Sequence, residues 1–253
     1  MPKFTAKLTE KLIAAQDTFV LKFTTILEND VKPFNPRPGS VVSVLVREKT
    51  FRSYSIMHSD KDCFYLLIAA KGTGLGSVFT NDLKIGQIVE MVGPSGKFSL
   101  TQNNEKNRVF IGTGTGMAPF FGFLDSYIKI KENKGKLLIL SGLNGFDGDW
   151  FSSLVDEVLG EFDDQNLDKI ETQICFFPSL EPAEDLELGE FNQTVTIRLK
   201  NLFKNNNVDK TWEFYLCGHP NMVADVESYL IEEEKTLPEN IIKESFAAPI
   251  KKV

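Results

Sequence analysis

Two glycine-rich segments of the sequence have the composition of phosphate-binding loops. Gly112-Thr-Gly-Thr-Gly116 follows the mainly apolar segment Arg108–Ile111 and precedes a second apolar segment. Glycines there let the backbone approach an anionic diphosphate, which the N-terminus of a following helix also favours. The glycines fall at alternate positions and so depart from GxGxxG, the fingerprint of dinucleotide-binding folds. A tight strand–helix turn without a ligand would have the same pattern.

The second segment, Lys71-Gly-Thr-Gly-Leu-Gly76-Ser77, has the same alternate glycine spacing before another expected helix. Ser77 could cap that helix or donate a hydrogen bond to a phosphate. A hairpin loop whose glycines need a positive φ fits the segment equally well. These residues alone leave both interpretations open.

The segment Arg52-Ser-Tyr-Ser55 lies in an expected strand, where successive side chains point to opposite faces. Arg52 and Tyr54 therefore share one face, and Ser53 and Ser55 share the other. A guanidinium can bind a phosphate bidentately, and a phenol can lie against a flat ring. Taken alone, the segment favours an ordinary barrel strand with an exposed arginine and a half-buried tyrosine.

A fourth segment, Cys217-Gly-His-Pro220, ends an expected strand and begins a helix. A thiol at the carboxyl end of a parallel strand lies at the crevice where such sheets bind ligands. The sequence offers no clear base or metal partner, which favours a packed thiol over a nucleophile. A Cys217–His219 dyad is disfavoured because the two residues are nearly adjacent on one turn.

The first hundred residues have the pattern of short strands separated by turn clusters rich in proline and glycine. Six such strands predict a small closed antiparallel barrel with one inserted helix near Gly76–Leu83. The predicted strands are Lys3–Ala14, Thr18–Leu27, Val41–Arg47, Phe51–Met57, Cys63–Ala70 and Gln87–Val92.

After the polar stretch Thr101–Asn107, strands and helices alternate, which predicts a parallel sheet covered on both faces. We expect two domains, residues 1–103 and 104–253. The predicted strands are Arg108–Ile111, Lys136–Ser141, Ile170–Phe177, Glu213–Cys217 and Ile241–Phe246, and the helices are Met117–Ile130, Trp150–Leu159, Val195–Phe203 and Asn221–Glu234.

Composition excludes several classes of protein. Lys+Arg number 28 against 35 Asp+Glu, a net charge of −7 that argues against general nucleic-acid binding. The three cysteines lie far apart without a CxxC, so neither a disulfide framework, an iron–sulfur cluster nor another metal site is expected. No apolar run is long enough to span a bilayer, and the N-terminus lacks a signal peptide's apolar stretch. We expect a cytoplasmic monomer without membrane insertion.

In combination and order, these motifs resemble the ferredoxin–NADP reductase superfamily, over roughly Phe4 to Phe246. The resemblance also rests on Gly93-Pro-Ser-Gly-Lys-Phe98 and on the final Glu244-Ser-Phe246. It is greatest to compact bacterial ferredoxin/flavodoxin–NADP reductases and to oxygenase reductase components. It implies an α/β plus β fold, in which an N-terminal antiparallel FAD-binding β-barrel precedes a parallel-sheet nicotinamide nucleotide-binding domain.

For the barrel, the resemblance implies that Arg52 meets the flavin phosphate and Tyr54 packs beside the isoalloxazine. Ser55 would hydrogen-bond near the flavin N5, where hydride arrives. Gly76 and Ser77 would bind the diphosphate at their helix N-terminus. Cofactor-binding roles are likewise implied for Ser53, Gly74, Ser179 and Gly218.

For the second half, the resemblance implies that Gly114, Thr115 and Gly116 form the pyridine-nucleotide loop. Cys217 would place its thiol beside the nicotinamide C4. Glu244 matches the acid of an acid-x-aromatic ending, and Phe246 matches the ring that covers the flavin. Ser55, Cys217 and Glu244 are thus the expected catalytic residues. Unlike many members of the family, this chain continues after the aromatic residue, over Ala247–Val253.

The resemblance implies an FAD enzyme that passes electrons between NADPH or NADH and a separate ferredoxin or flavodoxin. An NAD(P)H–flavin reductase, or the reductase component of an oxygenase, is the alternative within the same chemistry. A non-catalytic nucleotide-binding redox sensor is the alternative of another class. Leu180 and Thr194 stand where relatives that prefer NADPH place cations, so we expect NADH to serve at least as well.

Overall fold

The computed structural model describes residues 1–26, 34–129, 134–144, 170–177 and 195–246. The chain divides into two compact units. The first contains Met1–Leu100 and Ala118–Ser126, and the second contains Thr101–Met117 and Tyr127–Val253. The predicted domain boundary at 103/104 stays a prediction. In the described part of the chain, no helix is long and apolar enough to cross a membrane.

The first unit contains a closed barrel with strand order β1-β2-β5-β4-β3-β6, and all of its neighbouring strands pair antiparallel. The predicted six-stranded barrel is therefore confirmed. The strands are β1 Lys3–Ala15, β2 Thr18–Ile26, β3 Val41–Arg47, β4 Thr50–Asp60, β5 Cys63–Ala69 and β6 Ile88–Ser95, and helix α1 spans Leu75–Asp82.

Alternating side chains build the interior of the barrel. On β3, Val42 and Val44 are fully buried, whereas Ser43 lies on the other face and its hydroxyl meets that of Ser53 at 2.9 Å. Phenylalanine rings fill the centre: Phe34 and Phe64 have ring centroids 4.9 Å apart. The phenylalanine-rich composition thus supplies the core of this unit.

The C-terminal end of helix α1 is hydrogen-bonded to a side chain of strand β1. The Lys11 ammonium donates hydrogen bonds to the carbonyl oxygens of Thr80, Asn81 and Leu83 at 2.7, 3.0 and 3.0 Å. A cation is favoured there because the last carbonyls of a helix have no intrahelical donors. The same ammonium lies 4.7 Å from the centroid of the Phe19 ring. Lys11 therefore helps to fix α1 on the barrel.

The second unit contains a five-stranded parallel sheet with strand order β11-β10-β7-β8-β9. The predicted parallel sheet is confirmed. Its strands are β7 Arg108–Thr113, β8 Leu137–Asn144, β9 Ile170–Phe177, β10 Glu213–Gly218 and β11 Ile241–Ser245. This unit also contains the helices α3 Val195–Lys204 and α4 Pro220–Ser228, with 3₁₀ turns at Gly114–Met117 and Pro238–Asn240, whereas most of helix α2, Ala118–Lys129, belongs to the first unit. The predicted helix Trp150–Leu159 lies outside the described residues.

The predicted single helix Asn221–Glu234 is two elements in the structure. After α4 the chain continues as a π-helical turn, Tyr229–Glu233, in which Glu234 N–H donates to the Tyr229 carbonyl at 3.2 Å. The Tyr229 ring packs edge-on against Phe203, with centroids 5.7 Å apart. The hydrophobic period of the sequence does not reveal this π-turn, because the change from i→i+4 to i→i+5 hydrogen bonds extends over only five residues.

A buried ion pair lies at the amino ends of β7 and β10. Arg108 Nε donates to Glu213 Oε2 at 3.1 Å, and both side chains are almost fully buried. The Thr101 hydroxyl lies 2.8 and 2.7 Å from the two carboxylate oxygens, and the Tyr215 hydroxyl donates to Oε2 at 3.1 Å. These bonds compensate the cost of burying the two charges.

Candidate functional site

On the barrel, the side chains of Arg52 and Tyr54 meet at Gly76 in the first turn of α1. A Cβ added to Gly76 would lie 2.7 Å from Tyr54 Oη and 3.5 Å from Arg52 Cγ. The two side chains therefore share one face, as strand alternation predicts, and that face meets α1. A side chain at this position would push the phenol aside.

The N-terminus of α1 has the backbone groups that bind an anion. Its intrahelical bonding begins with Val78 N–H donating to the Gly74 carbonyl at 2.9 Å. The N–H groups of Leu75, Gly76 and Ser77 precede that bond, as is usual in the first turn of a helix. Such groups and the helix dipole together favour a phosphate.

The Ser77 hydroxyl has a different partner from the one its sequence position suggests. It donates to the Lys71 carbonyl at 2.8 Å and so closes the glycine-rich loop, in which Gly72 has a φ of +80°. The side chain therefore holds the loop, and the backbone N–H of Ser77 is the group available to a phosphate.

The charge and polarity of the barrel residues suit a ligand that carries both a phosphate and a ring. Arg52 is exposed, and its guanidinium donates to the neighbouring Phe51 carbonyl at 3.0 Å. Burial raises the pKa of the Tyr54 phenol, although the Thr80 hydroxyl and the Arg52 charge oppose that shift. The Tyr54 phenol is thus neutral, and its side chain is half-buried. Ser55 is buried, with 4% of its surface exposed.

In the second unit, the carboxyl ends of β7 and β10 form a topological switch point. The chain leaves β7 towards β8 on one side, whereas β10 lies on the other side of β7 and is followed by β11. Connections that leave in opposite directions open a crevice between the two strand ends, and nucleotides bind in such crevices. The segments Gly114–Met117 and Gly218–Pro220 lie at this edge.

The two glycines of the loop after β7 have different reasons to be glycine. Gly114 has a φ of +53°, and an added Cβ would meet no atom within 4 Å. Gly116 is confined instead: its Cβ would lie 2.8 Å from the carbonyl carbon of Cys217. Gly114 therefore leaves open space at the crevice, and Gly116 lets the turn after β7 approach the end of β10.

Thr113 joins the two strand ends, a role that the sequence motifs did not indicate. Its hydroxyl accepts a hydrogen bond from His219 N–H at 3.2 Å. Gly218 has a φ of +140°, and its added Cβ would lie 3.0 Å from the Thr113 nitrogen. Thr113 and His219 are more than a hundred residues apart in the sequence, so only the fold identifies this contact.

The Cys217 thiol is fully buried on β10, and Glu244 is its register partner on β11. Burial raises the pKa of Cys217, and the Glu244 charge raises it further. The thiol is therefore favoured in its protonated form, which disfavours a thiolate nucleophile. His219 caps α4, where its Nδ1 accepts from Asn221 N–H at 3.2 Å, so it is used as a helix cap. Phe246 N–H donates to the Gly218 carbonyl at 3.2 Å.

A cavity of about 710 Å³ opens at the same edge of the sheet. Within it, Lys200 Nζ pairs with Glu233 at 2.8 Å and lies 4.7 Å from the centroid of the Tyr229 ring. Its lining residues come from the end of β7, from α3 and from α4 with its π-turn: Thr113, Val195, Thr196, Ile197, Lys200, His219, Met222, Asp225, Ser228, Tyr229 and Glu233.

Some predicted residues lie where the structure gives no description. Ser179, Leu180 and Thr194 are outside the described residues. Among the described residues, no three His, Cys, Asp or Glu side chains gather so that they could hold a metal ion.

Two family models match successive parts of the chain. The model described as an oxidoreductase FAD-binding domain matches residues 5–100, and the oxidoreductase NAD-binding domain model matches residues 110–228. Both models describe domains of oxidoreductases, so the chain carries an FAD-binding domain followed by an NAD-binding domain. The chain belongs to the ferredoxin–NADP reductase superfamily.

Curated relatives match with low identity. The chain is 25% identical over 191 residues to an NADH-cytochrome b5 reductase 1 of Candida glabrata. This match covers 74% of this chain and 64% of the relative. It is 25% identical over 231 residues to a flavohemoprotein of Bacillus subtilis, covering 85% and 54%. The chain thus spans only half to two thirds of the length of these relatives.

Solved structures show the same fold. A cytochrome P450 reductase of Amycolatopsis matches with a TM-score of 0.73 and 22% identity, over 98% of this chain and 70% of that one. A ferredoxin-NADP+ reductase of Plasmodium falciparum matches with a TM-score of 0.71 and 22% identity, over 96% of each chain.

Proposed function

We propose that this chain passes electrons between NAD(P)H and a separate one-electron carrier protein, a ferredoxin or a flavodoxin. One observation carries the proposal: a glycine-rich helix N-terminus beside Arg52 and Tyr54 on a barrel, and a switch-point crevice in a parallel sheet, occur in a single chain. We call the first turn of α1 with Arg52 and Tyr54 the cradle. FAD supplies the chemistry, since it accepts two electrons as hydride and can release them singly.

On the barrel, the proposal gives each residue of the cradle a role. The guanidinium of Arg52 and the N–H groups of Gly76 and Ser77 bind the flavin diphosphate. The neutral phenol of Tyr54 packs against the flavin ring, and the buried Ser55 hydroxyl hydrogen-bonds to that ring. The contact of Tyr54 with Gly76 supports this assignment, because it places ring and phosphate recognition side by side.

At the switch point, Gly114, Thr115 and Gly116 bind the diphosphate of the nicotinamide nucleotide. The neutral, buried thiol of Cys217 packs beside the nicotinamide and excludes water from it. Glu244, in register with Cys217, positions that thiol and supplies a negative charge near the ring, which stabilises a positively charged nicotinamide.

We propose further that NADH serves at least as well as NADPH. The 2′-phosphate of NADPH needs a cation, and Lys200 in the cavity is already paired with Glu233 and lies 4.7 Å from the centroid of the Tyr229 ring. Asp225 adds a second carboxylate to the same lining. The cytochrome b5 reductase relative is also named for NADH.

The carrier proposal is supported by the distribution of charge along the sequence. Residues 1–100 contain 13 Lys+Arg and 9 Asp+Glu, whereas residues 101–253 contain 15 and 26. An acidic carrier would be steered to the barrel half and repelled by the other half.

Turnover with different acceptors tests the proposal. The FAD-loaded chain, supplied with NADH, should reduce a flavodoxin or ferredoxin faster than it reduces free FMN, and the advantage should shrink at high salt. Faster reduction of free FMN at every salt concentration would favour a flavin reductase. A bound flavin that neither NADH nor NADPH bleaches would favour a redox sensor and contradict the proposal.

A further inference from the structure

One hydroxyl group of α1 is buried without a hydrogen bond. Thr80 is fully buried, and among the described residues no donor or acceptor lies at hydrogen-bonding geometry to its Oγ1. Threonines inside helices often donate to the carbonyl four residues earlier, here that of Gly76, and that bond is not formed. A buried hydroxyl without a partner costs free energy. The stability of α1 therefore does not explain a threonine at this position.

The Thr80 hydroxyl lies beside the phenol of Tyr54. Gly76 and Thr80 are four residues apart on α1, and residues at this spacing share one face of a helix. That face meets β4, since a Cβ added to Gly76 would lie 2.7 Å from Tyr54 Oη. The Thr80 hydroxyl is also close enough to act on the pKa of the phenol, which it lowers against the effect of burial. The two hydroxyl groups are therefore neighbours that do not bond in this structure.

The backbone of Thr80 is held in place from β1. Lys11 Nζ donates to the Thr80 carbonyl at 2.7 Å and to two further carbonyls at the end of α1. Because the carbonyl is fixed, the hydroxyl of the same residue has a fixed position beside β4. It is therefore a stationary acceptor for a phenol that adjusts to a ligand.

We propose that Thr80 is a positioning residue: its hydroxyl accepts a hydrogen bond from the Tyr54 phenol and so holds the ring against which the flavin packs. This inference rests on the proposed function, in which Tyr54 contacts the isoalloxazine. The bond forms when the flavin packs against Tyr54, so it adds to the affinity. In the flavin-free chain the same hydroxyl is unpaired and lowers stability. Thr80 thus favours the flavin complex over the flavin-free fold.

Removing the hydroxyl should have opposite effects on stability and on binding. Thr80→Val keeps the β-branched shape and removes the unpaired oxygen. The melting temperature of the flavin-free chain should rise by about 2–4 °C. The dissociation constant for FAD should rise about fivefold, the scale of one hydrogen bond. A residue that only supports the fold would lower the melting temperature and the affinity together.

Two variants serve as matched controls. Thr236, in the second unit, is also a buried threonine whose hydroxyl lacks a partner among the described residues. Thr236→Val should therefore leave FAD affinity unchanged. Thr80→Ser keeps the hydroxyl and should bind FAD within about twofold of the parent.

Fluorescence titration of the full, flavin-free chain measures the dissociation constants for FAD, FMN and riboflavin. The ring that Tyr54 contacts is common to the three flavins, so Thr80→Val should weaken all three by the same factor. Tyr54→Phe removes the donor of the same hydrogen bond and should weaken FAD to a similar extent. The double variant Thr80→Val/Tyr54→Phe should bind FAD no more weakly than the weaker single variant, because both substitutions remove one bond.

Losses that multiply in the double variant would overturn the proposal, because the two hydroxyl groups would then act separately. A loss confined to FAD and FMN would also overturn it, since the effect would lie at the phosphate-binding N–H groups of α1. So would a Thr80→Val variant that binds FAD like the parent or melts at a lower temperature. Mixing with NADH separates this inference from the proposed function. If NADH bleaches the bound FAD and Thr80→Val has no effect, only the role of Thr80 is lost. If the binding pattern is as predicted but neither coenzyme bleaches the flavin, only the proposed function is lost.

Discussion

Gly116 and Cys217 meet through their backbones: a Cβ added to Gly116 would lie 2.8 Å from the carbonyl carbon of Cys217. Gly116 belongs to the turn after β7, and Cys217 lies near the end of β10. The contact therefore joins the two strands that flank the switch point. Because the crowding atoms are backbone, they cannot rotate away as a side chain could.

Gly116→Ala should destabilise the second unit by about 1–3 kcal/mol, the usual cost of overpacking a close contact. Gly114→Asn is the control, because asparagine tolerates a positive φ and its Cβ would meet no atom within 4 Å. Urea unfolding measures both variants. Equal stability of Gly116→Ala and the parent would contradict the close approach of the two strand ends.

Gly76→Ala should weaken FAD binding, because the new methyl group meets the phenol of Tyr54. We expect the dissociation constant for FAD to rise about tenfold, since relieving an overpacked contact costs about 1–3 kcal/mol. Adding Tyr54→Phe removes the oxygen that the methyl group would meet, so the double variant should recover part of the affinity. If the double variant binds no better than Gly76→Ala, the Gly76–Tyr54 contact does not control the cradle.

Lys11→Met should lower the free energy of unfolding by about 1 kcal/mol, because three carbonyls at the end of α1 lose their charged donor. Lys22→Met is the comparison, since Lys22 is also a barrel lysine but pairs with a single exposed carboxylate, Glu10. The melting temperature should fall more for Lys11→Met than for Lys22→Met. The reverse order would show that Lys11 does not anchor the helix.

Glu213→Gln should cost about 3–5 kcal/mol, because it leaves the buried Arg108 charge without its carboxylate. Glu105→Gln removes one partner of an exposed pair with Lys134 and serves as the control. Chemical denaturation should separate the two variants clearly, since exposed pairs contribute little. A similar small loss in both would mean that Arg108 is not buried as the structure describes.

The raised pKa of Cys217 predicts a thiol that reacts slowly. The folded-state pKa lies above the ordinary value, so the thiol stays protonated as the pH rises through the range in which an exposed cysteine ionises. Alkylation of the folded protein at about pH 8 should modify Cys63, which is partly exposed, at least about tenfold faster than Cys217. Mass spectrometry of the digested product measures both sites. Faster labelling of Cys217 would contradict its burial.

The sequence predicted the architecture because strands, helices and turns each produce a recognisable pattern among neighbouring residues. Alternation on β3 and β4 and the turn clusters between strands identify the barrel, and the alternation of strands and helices identifies the parallel sheet. The placement of Arg52 and Tyr54 on one face follows from the strand period alone.

What the sequence could not indicate depends on contacts between distant residues. Lys11 reaches carbonyls about seventy residues away, and Thr113 meets His219 across more than a hundred. Ser77 was expected at a phosphate, but its hydroxyl closes the loop at Lys71. No motif specifies such partners, because each depends on how complete strands and helices pack.

Anaerobic mixing of the FAD-loaded chain with NADH tests the central claim most directly. Hydride transfer to the flavin should bleach its visible absorbance, and addition of an oxidised flavodoxin or ferredoxin should restore the oxidised spectrum as the carrier is reduced. The same experiment with NADPH should give a bleaching rate constant per unit coenzyme no greater than that with NADH. A flavin that neither coenzyme bleaches would contradict the account. A preference for NADPH of more than about a hundredfold would contradict its assignment of the coenzyme.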